Sequence, residues 1–116
     1  MSAIEIDELA ARLGRVTVLD VREPGEYDGS FGHSCDPRQG HIPGALHLPV
    51  GELVGLDEAE IKRRLGVADG AEIVVYCHSG SRSAVAAQVL ATHGFKPRNY
   101  SGSWHEWSRT ELPLEC

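Results

Sequence analysis

Eight consecutive residues, Tyr76-Cys77-His78-Ser79-Gly80-Ser81-Arg82-Ser83, bring a thiol, three serine hydroxyls, a glycine and a guanidinium within reach of one another. Ahead of them Ile73-Val74-Val75 is a short β-branched apolar run, which reads as a buried strand. Behind them, Ala84 to Leu90 is rich in Ala, Val and Leu, with Val85/Val89 and Ala86/Leu90 at helical spacing. Cys77 is thereby placed at the carboxyl end of a strand, on a tight loop entering a helix. Unpaired N–H groups and the positive end of the helix dipole converge at such a point and favour a bound anion. A thiol held there loses its proton more easily than an isolated one. Gly80 lets the loop turn with its amides inward, and Arg82 adds a fixed positive charge. The residue types therefore suit a nucleophilic thiolate. The competing reading is a buried structural cysteine, against which the polar residues on both sides argue.

The rest of the chain must position that loop. At 116 residues it fits one domain, 1–116, with a core of its own. Hydrophobic content of 41% and charged content of 24% are ordinary for a globular protein. A net charge of −6 gives no reason to expect nucleic acid or an anionic membrane as a partner. Attraction for an anionic substrate must then come from Arg82 and the loop amides rather than the overall field. No apolar run approaches the roughly 20 residues that span a bilayer. The stretch Met1 to Glu8 turns acidic early and lacks the regions of a signal peptide, so a cytoplasmic location is expected. Cys35, Cys77 and Cys116 are odd in number and widely spaced, without a Cys-x-x-Cys pair. Three free thiols are the expectation in a reducing compartment.

Ile6, Leu9, Ala10 and Leu13 fall on one face of a helix that Asp7 can cap and Gly14 can stop. Val16 to Leu19 is a short strand ending at Asp20-Val21-Arg22, where an open α/β sheet has its ligand crevice. Asp20 and Arg22 are expected to frame the loop as a salt bridge rather than touch substrate. Pro24 to Tyr27 can form a helical turn, and Asp28 to Gln39 reads as a solvated polar lid loop. His33, Cys35 and His41 could in principle hold zinc, but the spacing and the lack of a fourth obvious ligand speak against it. No metal and no cofactor are expected. Cys35 could also resolve a sulfur carried on Cys77 as a disulfide. Ala45 to Pro49 is a short strand. Asp57 caps a helix ending at Gly66, with Glu60 completing a capping box and Leu56 and Ile61 a staple. Gly94 supplies a left-handed stop on which Phe95 packs back, and Pro97 to Tyr100 adds an edge strand. Trp104 and Trp107 share one face of a closing helix, where core packing is their simplest role. Strands alternating with helices give an α/β fold with a small, mainly parallel central sheet and helices on both faces.

Four segments carry a resemblance. Cys77-His78-Ser79-Gly80-Ser81-Arg82-Ser83 resembles the active-site loop of rhodanese-type sulfurtransferases. Leu19 to Tyr27 resembles that family's D-V-R-x-x-x-E-[YF] segment, and Gly40 to Ala45 its G-H-I-P-G-A segment. Tyr100 to Trp107 is similar to the Y-x-G-S-W-x-E-W ending of thiosulfate and mercaptopyruvate sulfurtransferases. The likeness covers nearly the whole chain in the family's order, and departs from it in the long Asp28–Gln39 insertion.

The resemblance implies a single rhodanese-like domain that moves a sulfane sulfur through a Cys77 persulfide. The donor implied is thiosulfate or a similar anion, and the acceptor a thiophile such as cyanide or a thiol. In that picture His78, Ser79, Gly80, Ser81, Arg82 and Ser83 surround the terminal sulfur, Asp20, Arg22 and Trp104 support the loop, and the Gly102-Ser103-Trp104 turn walls one side of the pocket. Arg82 either binds the donor or braces the loop; His78 either tunes charge at the rim or faces solvent. Mercaptopyruvate is an alternative donor, although His78, Ser81 and Arg82 depart from the loops of enzymes that use it. A protein sulfur donor or acceptor is a further possible partner, and the chain a monomer or homodimer. Two other classes stand beside this one. A non-enzymatic persulfide carrier would use the same loop. A phosphatase of the cell-cycle dual-specificity type would need five residues between Cys and Arg, where this loop has only His78, Ser79, Gly80 and Ser81.

Overall fold

The computed structural model describes residues 2–116. Its centre is a five-stranded sheet in the order β1 (Ser2–Ala3), β5 (Lys96–Asn99), β4 (Glu72–Tyr76), β2 (Thr17–Asp20) and β3 (Leu46–His47), with every pair parallel. Alternation along the two central strands decides what each face covers. Leu19 of β2 and Ile73 and Val75 of β4 face α3 (Val50–Leu53), α4 (Glu58–Leu65) and α5 (Ser81–Thr92), where Leu53, Ile61, Ala86 and Leu90 are buried. Val18, Val74 and Tyr76 face the other way, onto Leu9 of α1 (Ile6–Ala11) and Trp104 and Trp107 of α6 (Ser103–Trp107). This is the expected architecture, with helices on both faces.

Several elements differ from the sequence reading for identifiable reasons. The strand containing Pro97 is internal rather than an edge: β1 lies outside it and pairs only with Arg98 and Asn99, so the proline stays out of that ladder. Helix α1 begins at Ile6, with Glu5 rather than Asp7 at its N-cap. Asp57 does cap α4, accepting from Glu60 N at 2.9 Å, but the Glu60 carboxylate pairs with Arg63 instead of returning to the cap. Only half of the capping box forms. Leu56 packs on the cluster holding Ile61, and Phe95 folds back as expected, donating its N–H to Leu90 O at 3.0 Å. Pro24–Asp28 is the short helix α2, closed by a capping box between Glu23 and Glu26.

At the carboxyl end of β2 two opposite charges are buried together. Arg22 Nη2 donates to Asp20 Oδ2 at 2.7 Å, Arg22 N donates to Asp20 Oδ1 at 2.9 Å, and neither side chain is more than 1% exposed. The guanidinium also donates to Gly40 O at 2.6 Å and lies 5.0 Å from the Trp104 ring and 5.5 Å from the Tyr76 ring. One residue thus ties β2, β4, the Gly40 turn and α6 together. Removing one partner would strand the other charge without water. Asp20→Ala is therefore expected to lower stability by about 3–5 kcal/mol, read from urea unfolding midpoints.

Candidate active site

Cys77 leaves the end of β4 on the α5 side of the sheet, beside the point where neighbouring chains diverge to β5 and β2. Its Sγ accepts from Gly80 N at 3.0 Å and lies 3.4 Å from Ser83 Oγ, to which the neutral thiol donates. The Ser83 hydroxyl itself donates to Gly80 O at 3.1 Å; once the thiol ionises, that hydroxyl can turn to donate to sulfur. Burial pushes the thiol up, but donation from Ser83 and from the backbone N–H groups of Ser83, Gly80 and Ser79 outweighs it and holds Cys77 below its ordinary value. Of the loop amides expected around the sulfur, those of Ser79, Gly80 and Ser83 face it.

Two features make this geometry possible. Gly80 has φ +103°, and a Cβ built on it would come within 2.8 Å of Ser101 O, a backbone atom that cannot step aside. Ser103 holds φ +56°, unusual for a residue with a side chain. In that conformation its Oγ accepts from Cys77 N at 3.1 Å and donates to Tyr100 O at 2.9 Å. The start of α6 also donates to the loop, Trp104 N to Cys77 O and His105 N to His78 O, each at 2.9 Å. The Gly102-Ser103-Trp104 turn thus meets the cysteine loop as expected.

The expectation of an open pocket is corrected. Cys77 is 1% exposed, and the described residues leave no cavity over it. The stretch 29–39 lies against the loop; most of it is exposed as expected, but His33, Asp36 and Arg38 anchor it. His33 stacks on His78 with ring centroids 3.7 Å apart. Asp36 is buried, 2.9 Å from both Arg109 Nη1 and His78 Nε2. Arg38 donates to the carbonyls of Trp107, Ser108 and Leu112 and leaves its own carbonyl to Trp104 Nε1 at 3.0 Å.

Arg82 does not point a free charge at the sulfur. It makes a bidentate pair with Glu26, Nη1 to Oε1 at 2.8 Å and Nη2 to Oε2 at 3.0 Å. Burial pushes Glu26 up, yet the Arg82 pair, the Glu23 N–H and the charge of Arg22 bring it down to about 2. Between the two earlier readings of Arg82, this geometry matches the brace. His78 is half-buried between His33 and Asp36, and burial lowers its pKa. Asp20 and Arg22 pair with each other, consistent with framing, and Trp104 packs on that pair. Sequence reasoning missed Glu26, Asp36 and His105, and named Ser103 only as part of the turn walling the pocket. Glu26 sits in the D-V-R-x-x-x-E segment, which marked it without revealing its partner; nothing local marks Asp36.

The suggested His33, Cys35 and His41 set does not assemble. His41 stacks on Tyr27 and approaches Glu115 instead. Ligand-type atoms of Cys35, Asp36, His78 and His105 do come together, all within 4.8 Å of one another. The three cysteines are free thiols, and among the described residues no helix is long and apolar enough to cross a membrane.

Comparison with known proteins identifies the fold and family. The family model described as "Rhodanese-like domain" matches residues 5–110. A "Thiosulfate sulfurtransferase" of Corynebacterium glutamicum is 37% identical over 120 residues, covering 88% of this chain and 39% of its own length. The "Sulfur carrier protein TtuD" of Thermus thermophilus is 38% identical over 110 residues, covering 81% of this chain and 39% of its own length. A solved structure described as "Probable Thiosulfate Sulfurtransferase" superposes with a TM-score of 0.85 at 45% identity, over 98% of this chain and 47% of that one. The chain thus spans less than half the length of each of these three proteins.

Two measurements test the geometry. Gly80→Ala must relieve both the positive φ and the approach to Ser101 O, so a stability loss of about 1–3 kcal/mol is expected in denaturant unfolding. For the ion pair the sign follows from a folded pKa lying below the unfolded one. Its contribution is complete above about 4.5 and fades as pH falls toward about 2. Glu26→Gln should therefore flatten the acid limb of the stability curve within that window.

Proposed function

The chain belongs to the rhodanese-like domain family, and on that premise we propose that it transfers sulfane sulfur through a persulfide on Cys77. The observation that carries the reading is the ring of N–H donors converging on a sulfur that is otherwise out of water. The Cys77 thiolate attacks the outer sulfur of thiosulfate, forming the Cys77 S–S bond and breaking the donor S–S bond. Sulfite leaves with the electron pair, and the enzyme is left with an anionic persulfide. A thiophile such as cyanide then takes the outer sulfur, becomes thiocyanate and returns the thiolate. Each half is a two-electron displacement without net redox change, giving ping-pong kinetics. Amides of the Cys77 loop stabilise the charge as it builds on the terminal sulfur, as an oxyanion hole does on oxygen.

His78, Ser79, Gly80, Ser81, Arg82 and Ser83 make up the loop in this mechanism. Asp20, Arg22 and Trp104 hold it from below. Arg82 acts through Glu26 as a brace. Because Cys77 is 1% exposed, donor entry requires the His33–Asp36 cover to lift from His78. Mercaptopyruvate is the other donor this chemistry admits: thiolate attack on its sulfur breaks the C–S bond, and the departing pyruvate enolate takes the proton of the donor thiol, leaving pyruvate and the anionic persulfide. The domain carries this chemistry as a single unit and works in the cytoplasm.

A second reading has its own support: a sulfur carrier that accepts persulfide sulfur from a donor protein. The covered thiol favours docking of a partner over free diffusion of a small donor, and one relative is named a sulfur carrier. A phosphatase is disfavoured, since four residues separate Cys77 from Arg82 and that guanidinium is occupied by Glu26.

Intact-mass measurement after incubation with thiosulfate, then cyanide, tests the proposal. One added sulfur atom, its removal by cyanide, and the loss of both in Cys77→Ser are expected. An unchanged mass after both thiosulfate and a protein persulfide donor would rule out sulfur transfer at this loop. Loading from the protein donor alone would select the carrier.

A further inference from the structure

We propose that Cys35, Asp36, His78 and His105 form a binding site for one divalent transition metal of the zinc class. One thiol, one carboxylate and two imidazoles offer ligand atoms within 4.8 Å of one another. They arrive from three places in the fold: Cys35 and Asp36 from the cover, His78 from the cysteine loop, His105 from α6. Neighbouring in space, they are scattered in sequence.

Proximity alone would not carry the assignment. The independent observation is a pair of buried atoms with unmet bonding capacity. The Asp36 side chain is 0% exposed, yet its Oδ2 has no hydrogen-bond partner; His78 Nε2 is likewise buried and without one. These two atoms lie 2.9 Å apart, an ion pair when His78 is protonated. With Nε2 unprotonated neither atom has a donor, and two acceptors this close suit a cation that both can ligate. Buried polar groups left in this state are costly and rare.

The remaining geometry fits. Arg109 donates to the other oxygen, Asp36 Oδ1, at 2.9 Å, and to Cys35 O at 2.7 Å. It fixes the carboxylate through Oδ1 and leaves Oδ2 to the His78 side, the role that outer partners play around bound metals. The rings of His78 and His105 stand edge to face, 88° apart, so their nitrogens can address one point from different directions. A tetrahedral ion with N, O and S ligands needs ligand–ligand separations of roughly 3.2–3.8 Å. Cys35 and His105 are exposed, so their side chains can rotate inward by the remaining distance. A thiolate and a carboxylate neutralise a divalent ion. The nitrogen and sulfur donors select zinc-like metals over magnesium or calcium.

Cobalt(II) titration of tag-free protein, followed by zinc competition, tests the site. Expected are one equivalent bound, a thiolate-to-cobalt charge-transfer band, and visible bands of tetrahedral strength. Cys35→Ser should abolish the charge-transfer band, and Cys35→Ser and His105→Ala should each weaken binding by at least about tenfold. Zinc should raise the melting temperature of the parent protein and not of these two surface variants. Cys77→Ser should bind cobalt as the parent does, which separates this site from the sulfur chemistry. Absence of saturable binding, binding indifferent to both Cys35→Ser and His105→Ala, or a charge-transfer band lost in Cys77→Ser overturns the assignment.

Discussion

A buried sulfur is cut off from the hydrogen bonds of water, and around Cys77 the Ser83 hydroxyl and backbone N–H groups supply others. Burial alone would push the thiol up, and these donors more than offset it. The main-chain donors among them reach one point because a tight loop at the head of α5 brings them there. That loop in turn needs a strand beneath it that ends at the right place. Parallel pairing of β4 with β2 and β5 supplies a common carboxyl end, and the two-residue period of β4 sends Cys77 toward α5 while Tyr76 goes to the opposite face. The sheet is thus the reference frame for a few tenths of an ångström at one atom.

Charge around the loop is kept in pairs. Asp20 with Arg22 lies under it and Glu26 with Arg82 beside it, the carboxylates coming from the end of β2 and from α2 just after it. Satisfied pairs of this kind fix direction more than they add stability, since burying two charges offsets much of their attraction. Arg82 therefore holds the first turn of α5 in place. The downward shift at Cys77 comes from the Ser83 hydroxyl and nearby N–H groups, dipoles that are short-ranged and tolerant of salt.

The sequence was legible wherever a signal was local. The Ile73–Val75 run, the Ala-rich helix after the loop, the Asp57 cap and the Gly94 stop each state their structure within a few residues. The loop from Cys77 to Ser83 could likewise be read as an amide nest from its glycine and its position. Less legible was whatever depended on distant partners. Pro97 argued for an edge strand because nothing nearby revealed that Ser2 and Ala3 would lie alongside Arg98 and Asn99. The Asp28–Gln39 segment read as solvated because its polarity is ordinary for a loop, and only the fold shows Asp36 meeting Arg109 and Arg38 meeting three carbonyls at the end of α6. Arg82 looked free because the pairing with Glu26 spans 56 residues.

The close approach of Gly80 to the carbonyl of Ser101 bears on how such domains can diversify. Two segments about twenty residues apart share one packing surface with no spare room, so neither can drift alone. A change in one segment therefore has to be matched in the other. The piece of this architecture that can be exchanged as a unit is larger than the cysteine loop itself and includes the β5–α6 corner.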